Sequence, residues 1–254
     1  VKGGRAGFTG RITGQLSNVH LEGQIVAEDV QVLDAVLHDV TCHMELGNDD
    51  IRLTQVVIKD GLGQVMAEGN IGLNEDRTIN LTLTIEEIDS KTALGVIRPG
   101  KRDPIEGRIS GKVVVTGDLR EPSFELRLKS DSLSIAGVSF EKAALDARMV
   151  GDSVNVELLQ LSQARGGYFE AAGSLGQSAP MSLAASARDF DVSIFSSVAG
   201  WKSQLAGNAD LAVRAEGELE DPSMALALRI RDGSVDRFGF DLLNARMTFN
   251  NGVI

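Results

Sequence analysis

The residue types best suited to metal binding fall in one short segment, in which His38 and His43 flank Cys42. Thiolate and imidazole are zinc ligands, but a closed structural site needs about four of them. Successive residues of a strand point to opposite faces, so Cys42 and His43 would diverge, while His38 and Cys42 would share a face. We therefore predict half-exposed strand residues here, with no metal and no other cofactor.

Three other segments carry weaker signals of chemistry. Residues 107–113 resemble a phosphate-binding loop, but the spacing is one residue short and Val113 stands where Ser or Thr would hold magnesium. A strand containing glycines is the better interpretation. Asp189 and Asp191 lack the further ligands and the glycine of a calcium loop, which leaves helix capping. The basic cluster at residues 98–104 is expected to be a solvated loop, with contact to a lipid headgroup or to the next repeat as the alternative.

Charge and composition exclude several classes of protein. The 254 residues include 36 acidic and 25 basic side chains, a net charge of −11. That sign is wrong for an electrostatic nucleic-acid binder and for a protein lying on an anionic lipid surface. No apolar run approaches the length of a membrane span, and no catalytic Ser or Cys motif is recognisable. We expect a fragment of a larger chain that is not an enzyme and has no membrane span.

The composition also describes the interior. Aromatic residues make up 4% of the chain, whereas glycine contributes 28 residues. An interior with so few large rings must be lined mainly by Val, Leu, Ile and Ala. Such a lining is compatible with an interior that stays partly open.

Strict alternation of apolar and polar residues is the dominant pattern. It is clearest in segments 81–85, 124–129, 154–158 and 226–230. Alternation of this kind predicts strands with one apolar and one solvated face, which is typical of antiparallel sheets. Turn signals rich in Gly, Asn and Asp separate these segments, so the chain is predicted to be mainly β, a meander of strands.

Two segments depart from the period of two. Residues 89–97 and 191–199 each open with Asp followed closely by Ser, both good N-cap residues, and their apolar residues fall at helical spacing. Each predicts a helix of about two turns, too short to be stable alone. We expect each helix to close one end of a sheet.

The two helices belong to an internal repeat. Asp89 and Asp191 are 102 residues apart, and a Gly-x-Leu turn recurs at Gly14, Gly117 and Gly217, at intervals of 103 and 100 residues. Recurrence in the same order indicates one structural unit used repeatedly. A period near 100 residues is far longer than that of a leucine-rich or hexapeptide solenoid.

This repeat defines the expected domain organisation. We predict one continuous repetitive β domain over residues 1–254, with units at approximately 7–106, 107–206 and 207–254, the last of them truncated.

The succession of strand, Gly-x-Leu-x-x-Pro turn, strand, second meander, Gly-x-Leu strand and short helix resembles the AsmA/TamB-like family of bacterial envelope proteins. The match is best over residues 107–175 and next best over 209–253. Residues 7–85 match more loosely, because Val19 stands where the other units have Pro.

The resemblance implies an elongated antiparallel sheet curled into an open U-shaped trough, a β-taco, with an apolar concave side and two short helices. It implies a protein of the periplasm of a diderm bacterium, anchored in the inner membrane, that carries phospholipids towards the outer membrane like the bridge-like lipid-transfer proteins of eukaryotes. It also implies an outer-membrane barrel partner. The membrane anchor and the C-terminal partner-binding domain are expected to lie outside this chain.

An apolar sheet face must be covered by a second layer or by a ligand. Burial of a methylene contributes about 0.8 kcal/mol, so ten methylenes of an acyl chain offer roughly 8 kcal/mol before entropic losses. The residues predicted to line the lipid groove are Val113, Val115, Phe124, Leu126, Leu128, Val154, Val156, Leu158, Leu211, Val213, Leu226, Leu228 and Ile230.

The same residues are compatible with other structures and functions. Alternating aliphatic residues also suit an ordinary sheet core, and a slip of one residue would turn every named side chain outwards. The same fold would suit a scaffold for outer-membrane protein assembly that receives unfolded strands by β-augmentation. A structural β-solenoid adhesin and a polysaccharide-active β-helix enzyme fit less well, since the period is long and aromatic platforms are scarce.

Overall fold

The computed structural model describes residues 4–15, 18–32, 35–74, 77–97, 105–176, 180–198, 203–218 and 221–250. The chain divides into two compact units, residues 1–128 and 129–254. Strands dominate both units, and the described residues include two short helices, which confirms the mainly β class.

The first unit contains β1 Arg5–Gln15, β2 Asn18–Val32, β3 Ala35–Leu46, β4 Asp50–Asp60, β5 Gly63–Gly72, β6 Thr78–Asp89, α1 Ser90–Ile97, β7 Ile105–Asp118 and most of β8 Glu121–Ser130. The second contains β9 Leu133–Ile135, β10 Val138–Phe140, β11 Lys142–Val150, β12 Ser153–Ser162, β13 Tyr168–Leu175, β14 Met181–Asp191, α2 Ser193–Val198, β15 Leu205–Glu218, β16 Asp221–Val235 and β17 Phe238–Phe249.

Each unit is an antiparallel meander in which consecutive strands pair. In the first, β1 to β7 pair in chain order. In the second, β11 to β17 pair in chain order, and β9 forms a short hairpin with β10. The alternation of the sequence, with turn residues between segments, is what this architecture requires.

The predicted Gly-x-Leu turns lie between strands that end and begin close together in the chain. Gln15 pairs with Asn18, and Glu218 pairs with Asp221. β7 ends at Asp118 and β8 begins at Glu121. The glycine before each turn has a positive φ, 103° at Gly14, 103° at Gly117 and 114° at Gly217, which residues with a Cβ rarely adopt.

Two other glycines mark places where neighbouring strands approach closely. Gly69 in β5 and Gly173 in β13 have φ of 141° and 154°. A Cβ at Gly69 would overlap the carbonyl oxygen of Asn80, and a Cβ at Gly173 would overlap that of Ser182. The two glycines are 104 residues apart and lie at equivalent points of the predicted repeat.

β-bulges interrupt the sheets at corresponding places. The register shifts between Leu53 and Val56 in β4, and between Val156 and Leu159 in β12. One extra residue in a strand exchanges the faces of all residues beyond it. A period of two continued through such a shift therefore assigns the residues beyond it to the wrong face, and in β12 the adjacent Leu158 and Leu159 mark the change of phase.

Both helices begin where the sequence predicts. The Asp89 carboxylate accepts a hydrogen bond from the backbone N–H of Lys91 at 2.8 Å, and that of Asp191 accepts one from Ser193 at 2.9 Å. A carboxylate in this position satisfies one of the free N–H groups at a helix start. The capping role predicted for Asp191 is therefore confirmed, and residues 107–113 lie within strand β7 as predicted.

Candidate functional site

The pairing register of the second unit gathers apolar side chains on one face. Residues paired across antiparallel strands lie on the same side of a sheet. One row crosses seven strands through Met247, Leu226, Val213, Ala185, Ala171, Leu159 and Leu145. The next row contains Ala245, Leu228, Leu211, Ala187, Phe169, Leu161 and Ala143.

The first unit has an apolar face of the same kind. One row crosses its seven paired strands through Phe8, Ile25, Cys42, Val56, Ala67, Leu83 and Val113. A second row contains Gly10, Gly23, Met44, Leu53, Gly69, Leu81 and Val115. The face that carries these rows is the apolar face of its unit, and the opposite side is the polar face.

Most residues predicted for the groove lie on these faces. In the second unit the register brings together Val154, Val156, Leu211, Val213, Leu226, Leu228 and Ile230. In the first unit Val113 and Val115 pair with Leu83 and Leu81. Phe124, Leu126 and Leu128 alternate with three exposed charged residues of β8 and are half-buried.

Leu158 is the exception, because the bulge in β12 places it on the other side. Leu158 pairs with Asp146, whereas its neighbour Leu159 pairs with Leu145 and Ala171 on the apolar face. The sequence prediction places Leu158 beside Val156 by continuing the period of two, and this register assignment is wrong. Leu159 and Leu161 occupy the corresponding positions, and the period of two misses them for the same reason.

The apolar face of the second unit curves inwards at the end that carries α2. Phe140 in β10 and Phe190 in β14 have ring centroids 6.0 Å apart. Phe140 lies two residues before the start of β11, and in a flat sheet three strand spacings, about 14 Å, would separate β11 from β14. The contact therefore requires a sheet that bends towards its apolar face, as a trough does.

A small core closes this end of the trough. Phe140, Leu161, Ala187, Phe190 and Ile194 of α2 form one buried cluster. The ring of Phe169 packs 5.6 Å from that of Phe190. Helix α2 thus closes one end of the sheet, as the sequence predicts.

Helix α1 has the equivalent position in the first unit. It contacts β3, β6 and β7, although three strand spacings separate β3 from β6 along the sheet. Ser90 at its start is fully buried, and its hydroxyl donates to the Ile105 carbonyl at 3.0 Å. The first unit is therefore also bent around a helix.

Away from the helix the apolar face is more accessible. Leu183 is 41% exposed and Leu175 is 49% exposed, whereas Phe190 and Ile230 near α2 are 1% and 3% exposed. The face consequently has a closed end and an open end within the second unit. Large apolar groups exposed side by side are the expected property of a surface that receives a ligand.

The His38–Cys42–His43 segment lies in β3, and its side chains are divided between the two faces of the sheet. Cys42 pairs with Ile25 and Val56 on the apolar face, and burial raises the pKa of its thiol. His43 pairs with Gln24 and points to the polar face, as predicted. Within the part of the chain that the structure describes, no three His, Cys, Asp or Glu side chains are placed to hold a metal.

His38 has a different partner. Its Nδ1 lies 2.9 Å from the Asp29 carboxylate, and this hydrogen bond raises the pKa of His38. Both side chains are largely exposed.

The basic cluster at residues 98–104 lies outside the described residues. Over the described ranges, no helix has both the length and the apolar character that a membrane crossing requires.

Comparison with known proteins identifies a family. The family model of the TamB C-terminal domain matches residues 54–252. No curated protein and no solved structure is significantly similar to the chain. The expectation that the family's C-terminal domain lies outside this chain is therefore wrong, because the match is to that domain. Since it covers most of both units, the chain belongs to the TamB family of cell-envelope proteins.

Proposed function

We propose that this chain is a segment of a periplasm-spanning protein that carries phospholipid acyl chains between the inner and outer membranes of a diderm bacterium. The acyl chains would lie on the apolar faces and the polar faces would meet the periplasm. In this role the chain binds and guides lipid without catalysis and without a cofactor. An anchor in the inner membrane would belong to other parts of the full-length protein.

The continuity of the apolar face is the observation that carries this proposal. In each unit apolar side chains from seven successive strands lie on one side. In the second unit the sheet bends towards that side around α2, and in the first unit α1 contacts both β3 and β6. A trough lined by aliphatic side chains provides contact area for acyl chains. Because a lining of this kind offers few hydrogen-bonding groups, it does not hold a ligand at one position.

The energetics are compatible with transient binding. Ten methylenes transferred from water to an apolar surface contribute roughly 8 kcal/mol, from which the loss of chain entropy must be subtracted. The half-buried residues that line the face, such as Val156 and Leu226, still have surface to cover. A bound acyl chain would remove that surface from water.

Photo-crosslinking tests the proposal with matched controls. A crosslinking residue at Leu126 or Val156 should capture phospholipid in a diderm host, whereas the same residue at Glu125 or Asn155, on the opposite face of the same strand, should not. Mass spectrometry of the crosslinked product identifies the partner. Crosslinks to protein alone from the apolar positions would contradict the proposal.

A scaffold for outer-membrane protein assembly is the second candidate, favoured by the match to the TamB C-terminal domain. In that role the family's outer-membrane barrel partner would meet this domain. Capture of unfolded outer-membrane strands by the crosslinker at Leu126, in place of lipid, would support this function against the first.

We further infer that the 1–254 domain is one repetitive structure with units near 7–106, 107–206 and 207–254. The strand bounds support this inference: β2 and β16 have 15 residues each, and β3 and β17 have 12 residues each. Their starts are 203 residues apart in both pairs. Asp29 in β2 and Asp232 in β16, also 203 residues apart, share a φ near 50°.

A further inference from the structure

The polar face of the second unit contains an unexpected patch of alanine. Ala184, Ala212, Ala225 and Ala227 lie on strands β14, β15 and β16, on the face opposite the apolar rows, and are exposed. Solvated strand positions usually carry longer polar side chains. The alanines therefore form a low floor of exposed methyl groups.

Arginine side chains surround this floor. Arg188, Arg229 and Arg246 line a depression of about 1350 Å³, and Arg214 and Arg246 line a second of about 530 Å³. Arg246 belongs to both, so the two depressions are adjacent. All four arginines are exposed.

The carboxylates in these depressions are already engaged. Arg231 forms ion pairs with Asp189 at 3.2 Å and Asp210 at 3.3 Å, and Glu170 accepts a hydrogen bond from the Tyr168 hydroxyl. The four rim arginines have no carboxylate partner among the residues that the structure describes. A positive patch thus stands on a chain whose net charge is −11.

We propose that this patch, the alanine floor with Arg188, Arg214, Arg229 and Arg246, binds an acidic segment of a partner polypeptide. Arginine forms bidentate pairs with carboxylates, and exposed pairs of opposite charge accelerate and orient association. The arginines are distributed over four strands, so they suit several successive carboxylates along an extended segment better than one phosphate. The methyl floor allows the backbone of that segment to approach the sheet.

The position of the patch favours a polypeptide over a lipid. It lies on the face opposite the one proposed for acyl chains, where a headgroup attached to a bound acyl chain would not reach. A second copy of this acidic chain would meet the patch with overall electrostatic repulsion.

Fluorescence anisotropy with a labelled twelve-residue peptide of alternating Glu and Ala tests the proposal. We expect saturable binding that weakens as salt rises, and at least a tenfold loss of affinity in the double variant R229S/R246S. The control R5S/R11S removes two arginines from the polar face of β1 and should bind normally. Circular dichroism checks that both variants are folded.

Competition identifies the ligand class. Inorganic phosphate and phosphatidylglycerol vesicles should displace the acidic peptide weakly, and a Lys-Ala peptide should not bind. Binding of vesicles or phosphate that depends on Arg229 and Arg246, without binding of the acidic peptide, would overturn the assignment to a polypeptide. Equal affinity of the acidic peptide for R229S/R246S and R5S/R11S would contradict the assignment of the binding site to this patch.

Discussion

The hairpin β2–β3 and the later segment β8–β11 occupy equivalent places in the proposed repeat, but their tips differ. β2 and β3 are continuous strands, whereas the second segment breaks into β8, β9, β10 and β11. The tip of β2–β3 carries the exposed pair Asp29–His38, and the position 102 residues after His38 is the buried Phe140.

The two tips differ in the contacts that His38 and Phe140 make. Phe140 packs with Phe190 and with α2, so the interrupted segment forms the wall of a small core. In the first unit Ile88 occupies the position 102 residues before Phe190 and is 3% exposed. The buried position beside the helix is therefore aliphatic, Ile88, in the first unit and aromatic, Phe190, in the second.

The largest expected effect on stability comes from removing an aromatic ring from the buried cluster beside α2. Phe190→Ala should lower the free energy of unfolding by about 3–5 kcal/mol, because it leaves a cavity beside Phe140 and Ile194. Ile88→Ala should cost about 2–5 kcal/mol in the first unit. Urea denaturation followed by circular dichroism measures both. A loss below about 1 kcal/mol for Phe190→Ala would contradict a closed end at α2.

Substitution of Gly69 and Gly173 tests whether the two units have the same backbone conformation at these equivalent positions. Gly69→Ala and Gly173→Ala should each cost about 2–3 kcal/mol, since the added methyl group meets a backbone carbonyl at an unfavourable φ. Gly137→Ala is the control, since its φ is 84° but nothing lies within 4 Å of the added Cβ. Clearly unequal costs at Gly69 and Gly173 would break the proposed equivalence.

The helix caps should be equivalent and of smaller effect. Asp89→Ala and Asp191→Ala should each cost about 1 kcal/mol, through loss of the hydrogen bond to the first turn. Asn at either position retains an acceptor oxygen and should restore most of the stability. The same urea titrations report the difference. A cost at Asp191 alone would mean that α1 does not depend on its cap.

The smallest expected effect is a pH dependence of stability that arises at the tip of β2–β3, which carries Asp29 and His38, and not at the tip that carries Phe140. Asp29 raises the pKa of His38 above 6.5 in the folded chain. The stabilisation from this pair is therefore fully present below pH 6.5 and is lost as pH rises through the folded pKa. NMR titration of His38 should give a pKa above that of the unfolded peptide, and Asp29→Asn should lower it. An unchanged pKa in Asp29→Asn would exclude the pair as the cause.

Local patterns in the sequence predict the features that depend on neighbouring residues. Alternation predicts the strands, and an Asp followed by Ser predicts both helix starts. Most groove residues follow from the same alternation, including Leu226 and Val213. Leu158 is misplaced because the prediction continues the period of two through a bulge. The adjacent Leu158 and Leu159, followed by Leu161, show that the alternation changes phase there, but the pairing with β11 is needed to decide which of the two leucines is on the apolar face.

Contacts between residues that are distant in the sequence could not be predicted from it. The meeting of Phe140 with Phe190 brings together residues 50 positions apart, and nothing in either segment indicates the bend between them. The alanines of the polar face are visible in the sequence as small residues at alternate positions. Their grouping with Arg214 and Arg246 depends on the register of four strands.

The position of Cys42 has a practical consequence. It is the one cysteine of the chain, and it lies half-buried within an apolar row between Ile25 and Val56. The native chain therefore offers a unique attachment point for a spin label or a fluorophore inside the trough, without mutagenesis. Because the pKa of the thiol is raised, labelling calls for alkaline buffer. A polarity-sensitive reporter at this position would register occupation of the first unit by its change in spectrum.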